Sequence, residues 1–205
     1  MPWRPAGSTR WPIPCPVLAS GSGGSPWSRW AALRRDQQPD RDVVVASVAQ
    51  GSSAVADWVD ARPNAQRLAA LLPELRRAGL TVDAVVWHQG ETEAWSSHAD
   101  GNAYRGALQQ WIASVRALGI TAPIFICLTS RDGAGTINPT IRQAQASVWD
   151  ARRHVYAGVD TDSLGEEFRS DGVHFNGRGL DQFARLLNGA LQRRSATDPV
   201  RFDGP

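Results

Sequence analysis

Continuous apolar runs alternate with amphipathic stretches along most of this chain. "DVVVASVA" (42–49), "VDAVVWHQ" (82–89), "APIFICLTS" (122–130) and "VYAGVD" (155–160) are unbroken or β-branched runs. Such runs fit strands covered on both faces. Between them lie segments with helical spacing: 64–79, 103–119, 138–153 and 179–194, with a shorter one near Trp27–Arg35. Gly79 and Gly119 sit where a helix C-terminus wants glycine. Asn138 followed by Pro139 reads as an N-cap and first helical residue. Pro73 falls inside the 64–79 pattern and predicts a kink or a split there.

Strand and helix alternating at this spacing predict an α/β fold: a three-layer, doubly wound, mostly parallel sheet. Residues 1–26, rich in Pro, Gly and Ser, read as an irregular lead-in, 27–194 as the domain, and 195–205 as a frayed tail. In such folds functional groups collect beyond the carboxyl ends of the strands. Three polar stretches fall at those ends: "QGSSAVADW" (50–58), "HQGETEAW" (88–95) and "DSLGEEFRSDGVHFN" (162–176).

Composition narrows the classes. With 205 residues and 42% hydrophobic content, one domain with a sizeable core is expected. The net charge is +2 and the basic residues, all Arg, are scattered, so nucleic acid is not an expected partner. No apolar run approaches the roughly 20 residues that span a bilayer, so no membrane partner is expected. The first 20 residues are broken by Pro and contain no apolar core, so no signal peptide is read there, and the compartment is left open. Cys127 lies in an apolar run and reads as a core thiol; neither it nor Cys15 has zinc or disulfide-framework spacing.

The candidate chemistry starts at "SDGVHFN" (170–176). A carboxylate three residues ahead of an imidazole, on a glycine turn, can accept from Nδ1–H and leave Nε2 free to take a proton. Taken alone, D-x-x-H is weak, and it favours Asp171 as a turn cap and His174 as a surface residue. The strand ending "VVWHQGETEAW" (85–95) changes the weighting. It resembles the third block of the sialate O-acetylesterase-like proteins, a carbohydrate esterase branch of the SGNH (GDSL-like) hydrolases. "SGSGGSPWSRW" (20–30), "VVVASVAQGSSAVADW" (43–58) and "DTDSLGEEFRSDGVHFN" (160–176) are similar to other segments of that family in order. The resemblance runs from about residue 20 to residue 190. It is specific as an ordered set and weak for any one block.

The resemblance implies a flavodoxin-like SGNH sheet and a serine-type hydrolase that removes O-acetyl groups from a small-molecule or glycan ester, with no cofactor or metal. It implies that Asp171 and His174 are the acid and base. It places Gly51, Gln89 and Gly90 around an oxyanion hole, with Ser52 where the family often has glycine. A side-chain amide in that place contributes about 2.7–4 kcal/mol to the barrier. Glu91 then orders its loop, or is an exposed turn residue. His88 touches substrate or is a satisfied structural histidine. Of the nine Trp, Trp58, Trp87 and Trp95 flank the candidate site. Trp87 reads as core, and Trp95, beyond the turn, as a sugar contact.

One part of the pattern is missing. The family's nucleophile is a Ser in a Gly-Gln-Ser-Asn block after a first strand, and no such block occurs in this chain. Ser8 in "AGST" (6–9) is the nearest look-alike, but no β-branched run precedes it, so it reads as a coil serine. Ser130 would have to act from a different strand end. In the resembling fold the strand order is 2-1-3-4-5, so loss of the first strand leaves 42–49 with no inner neighbour. A true start upstream of Met1, and poor folding of this chain alone, are therefore expected. The alternative is a non-catalytic carbohydrate-binding remnant of the same fold. Asp160, Asp162 and "GEE" (165–167) lack a metal-loop spacing and read as a solvated loop.

Overall fold

The computed structural model describes residues 24–193. Three parallel strands form the sheet in the order β1 (Val85–Trp87), β2 (Ile124–Leu128) and β3 (Val155–Asp160). The helices are α1 (Pro26–Gln37), α2 (Pro63–Arg77), α3 (Glu91–Ala94), α4 (Gly101–Ala117), α5 (Pro139–Ala146) and α6 (Gly177–Arg193). Short 3-10 turns occupy Val55–Trp58, Ala151–Arg153 and Glu166–Phe168.

The period-2 alternation of β2 builds the three layers. Ile124 and Ile126 point into a core shared with Leu108, Trp111 and Ile112 of α4 and Ile141 of α5. Cys127 points the other way, against Val159 of β3 and Phe183 and Leu187 of α6, and Trp27 and Trp30 of α1 close that side. The mixed α/β architecture and its parallel, two-faced sheet agree with the fold class expected from the alternation. Burial pushes the Cys127 thiol up to about 12, so it is a core residue and not a reactive one.

Segment 42–49 is a correction. It forms no strand; the backbone pairs with no strand among the described residues, and Val44 remains 59% exposed. A β-branched run gains from extended geometry only through a ladder and a covered face. It makes no ladder with the sheet, in which β1 pairs with β2 alone.

Other boundaries shrink. The reading of 82–89 leaves a three-residue strand, and the 138–153 helix stops at Ala146, then resumes as the 3-10 turn at 151–153. Pro73 does not split α2, which runs through it to Arg77. The helix carries the loss of the one bond that Pro73 cannot donate, to the carbonyl of Ala69. The capping at Asn138 is as its sequence indicates: its side chain accepts from the Thr140 and Ile141 amides.

Candidate functional site

The loop after β3 is folded by its own side chains. Asp171 Oδ1 accepts from the backbone amides of His174 (2.7 Å) and Val173 (3.0 Å). Its Oδ2 accepts from His174 Nδ1 at 2.7 Å. Gly172 between them has φ +84°, a conformation that glycine adopts without cost. The His174 amide, then the imidazole, then the Val173 amide hold the Asp171 carboxyl down at about 2. With Nδ1–H donated to a carboxylate, the neutral ring keeps its proton on Nδ1 and presents Nε2 as a base. Both side chains are more than half exposed. Among the described residues no hydroxyl lies within hydrogen-bonding distance of His174 Nε2.

Arg169 staples this loop from beneath. Its guanidinium donates to the carbonyls of Thr161 (2.6 Å), Leu164 (3.1 Å) and Val173, and stacks 4.6 Å over Phe175. Burial lowers Arg169 to about 10. Asn176 then caps α6: its Oδ1 accepts from Gly179, and its Nδ2 donates to Glu167 and Arg169 carbonyls. A Cβ on Gly179 would stand 2.1 Å from the Phe168 carbonyl oxygen, so only glycine allows this approach of helix and loop.

At the end of β1 the backbone turns sharply. Gln89 Nε2 donates to the carbonyl of Ser53 (2.9 Å) and to Glu93 Oε2 (2.6 Å). Glu93 Oε1 in turn accepts from the Val55 amide at 2.6 Å. The Gly90 amide donates to Glu91 Oε2. Two of the three oxyanion-hole residues nominated from sequence thus have their donors engaged: the Gln89 amide with Ser53 and Glu93, and the Gly90 N–H with Glu91. Gly90 is required for another reason: a Cβ there would lie 2.3 Å from the Thr129 carbonyl oxygen and from Gln145 Nε2. Gln145 is fully buried, donates to Thr129 O (2.8 Å) and Gln89 O (3.1 Å), and accepts from Thr129 N (3.0 Å). Tyr104 adds a hydroxyl to Gln89 O at 2.6 Å.

The remaining nominated residues separate by burial. Gly51 and Ser52 lie exposed in a turn, Ser52 with φ +57°. His88 Nε2 meets Thr161 Oγ1 at 3.2 Å. Thr161 already donates to Leu128 O, so its oxygen accepts, which puts the His88 proton on Nε2. His88 packs edge-on to Phe183 and beside Phe175, the residue after His174. Trp58 and Trp87 are buried core residues, and Trp95 is 62% exposed. Ser130 is fully buried and donates to Asp162. Asp160 and Asp162 are both paired to Arg142, and among the described residues no group of three or more His, Cys, Asp or Glu is placed to hold a metal. Ser8 lies outside the described residues. No helix among them is long and apolar enough to cross a membrane.

Sequence reasoning missed Glu93, Gln145 and Arg169. Glu93 carried a signal, since it stands four residues after Gln89 on a turn that becomes α3. Gln145 acts across long sequence separations and left none; Arg169 acts on carbonyls of its own loop, at spacings that form no recognisable motif.

The model of the carbohydrate esterase, sialic acid-specific acetylesterase family matches residues 19–193. A protein of Arabidopsis thaliana named "probable carbohydrate esterase" is 25% identical over 145 residues, 70% of this chain and 53% of that protein. The chain therefore spans about half the length of this curated relative. The X-ray structure of the same plant protein superposes with a TM-score of 0.71 at 22% identity, over 85% of this chain and 71% of that one. That likeness speaks to the fold.

Proposed function

This chain belongs to the sialic acid-specific acetylesterase family of carbohydrate esterases, and from that premise we propose that it works as a serine-type hydrolase of O-acetyl esters on a carbohydrate. The observation that carries the reading is the Asp171–His174 pair, with Nδ1 held at 2.7 Å and the ring open to solvent. A serine hydroxyl attacks the acetyl carbonyl and gives its proton to His174 Nε2. Collapse of the tetrahedral adduct breaks the ester C–O bond, and His174 returns the proton to the departing sugar oxygen. Water repeats the sequence on the acyl-serine and releases acetate. Asp171 holds the ring in its tautomer and stabilises the imidazolium.

Gly51, Gln89 and Gly90 are the proposed oxyanion donors. For Gln89 this requires its amide to release Glu93, since both of its hydrogens are engaged. Glu91 holds the Gly90 amide in the same way. Ser52 and Trp95 face the substrate side in this reading. His88 positions the loop through Thr161. No serine among the described residues reaches His174 Nε2, and Ser8, which lies outside them, is the candidate within this chain.

The second reading, a carbohydrate-binding remnant without turnover, is favoured by one observation: no described hydroxyl reaches His174 Nε2. Hydrolysis of p-nitrophenyl acetate by the chain and by His174→Ala separates the two. The esterase reading expects a loss of at least about 10³-fold. Equal rates with retained sugar binding would overturn it. Labelling with a serine-directed phosphonate and peptide mapping identifies the nucleophile; an adduct-free peptide 4–10 excludes Ser8.

A further inference from the structure

Beside the Asp171–His174 loop runs a shallow groove of about 360 Å³, at the lower end of the about 300–1,000 Å³ typical of ligand sites. One wall is the turn Ser96–Ala99, the other the loop Asp132–Thr140. Trp95 stands on the rim, joined to the first wall by the chain. It is packed against the second, since a Cβ on Gly133 would lie 3.0 Å from its Cη2 and Cζ2. Ile137 lines the groove at 39% exposure. Of the four large hydrophobic side chains exposed among the described residues, Ile137 lines the groove and Trp95 directly precedes its first wall in the chain.

The loop is built before any ligand arrives. Asp132 Oδ1 accepts from the Ala134 and Thr136 amides. Arg131 donates to Gly135 O (2.7 Å) and Asp162 O (3.1 Å) from behind. Gly135 lies against the acid–base loop, with its Cβ direction 3.6 Å from the Gly172 carbonyl oxygen. One rigid loop thus touches Trp95 on one side and the His174 loop on the other.

The charge of the groove selects its ligand. Asp132 keeps Oδ2 without a partner among the described residues. Among the described residues that line the groove, the ionisable side chains are Asp132 and His98. Two helix N-termini meet behind it, but both are spent. Asp100 caps α4 through the Asn102 and Ala103 amides, and Asn138 caps α5 through those of Thr140 and Ile141. Among the residues that line the groove no Arg or Lys is present to meet a carboxylate ligand, which would face Asp132. A neutral sugar finds an apolar indole for its C–H face and an acceptor for its hydroxyls.

We propose that this groove, with Trp95 and Asp132 as its principal contacts, is a subsite for a neutral pyranose unit of the glycan. The proposal rests on the carbohydrate-ester reading above and names its substrate class. The full chain, isotope-labelled, is titrated with cellotetraose and, separately, with N-acetylneuraminic acid, and amide and methyl shifts are mapped. The neutral probe shifts residues 95–99 and 132–140 saturably, and the acid leaves them unmoved. Trp95→Ala weakens cellotetraose binding about tenfold or more, while Trp95→Tyr restores it to within about threefold. Asp132→Asn, which keeps the Oδ1 acceptor, weakens it as well. Shifts that avoid both walls, or tighter binding of the acid than of the neutral probe, overturn the proposal. Saturable binding in the groove with no ester hydrolysis leaves the subsite standing and removes the esterase. Ester hydrolysis with no sugar shifts in the groove does the reverse.

Discussion

The Gln89 side-chain amide donates to the carbonyl of Ser53, 36 residues upstream, at 2.9 Å, and its second hydrogen goes to Glu93. This one amide fastens the loop that follows segment 42–49 to the end of β1. It also places Glu93 where it receives the Val55 amide. The joint between the two loops is therefore polar and half-buried, and it depends on a carboxylate.

Glu93→Ala removes the acceptor of the Val55 amide and of the Gln89 amide together. The expected loss is about 1–3 kcal/mol for each group left without a partner. Glu93→Gln retains one acceptor and loses less. Urea denaturation of the three proteins, compared at constant m, measures the difference.

Gln145→Leu leaves the Thr129 amide, the Thr129 carbonyl and part of the Gln89 carbonyl unpaired in the core. A loss of at least about 2 kcal/mol is expected. Gly90→Ala, whose Cβ would collide with the same glutamine and with the Thr129 backbone, costs about 1–3 kcal/mol. Both fall on one joint, so the double variant loses less than the sum. A thermal or urea double-mutant cycle checks this.

Acid acts on the His174 loop through Asp171. Its folded-state carboxyl sits at about 2, below the ordinary 3.8. The stabilisation it gives is therefore full above about pH 4 and is lost as pH falls toward 2. Amide protection of Val173 and His174 should decline across that window. In Asp171→Asn the decline disappears. With p-nitrophenyl acetate, Asp171→Asn is expected to lower kcat by about 10³–10⁴-fold, since the ring then lacks its anionic partner.

Cys127 offers an independent gauge of the core. At pH 8 it should react with iodoacetamide only when the sheet opens, because the thiol is fully buried and its ionisation is pushed to about 12. In a Cys15→Ser background, labelling that matches a free thiol's rate would show that α1 and α6 do not cover β2.

The alternation of runs made the three-layer fold legible, because two-face burial of a parallel strand leaves a composition signature. "PIFIC" carries it, and β2 is buried at every position. "DVVVAS" carries the same signature and still forms no strand. Composition reports what a segment can do when flanked; pairing is decided by neighbours elsewhere in the chain. The site was legible where its logic is local. Asp171 and His174 are three residues apart and join through a turn their own spacing defines. The orientation of Gln89 was not legible, since it is set by Ser53 and by a carboxylate on α3.

Segment 42–49 bears on how the protein behaves in the tube. It displays β-branched side chains and unladdered backbone together, with Val44 and Val45 facing water. Such a stretch invites the same stretch of another molecule to lie alongside it. Only Arg41 and Asp42 at its head supply charge to discourage this. Solubility should therefore fall steeply with concentration, and Val44→Lys should raise it while leaving the melting temperature within a few degrees.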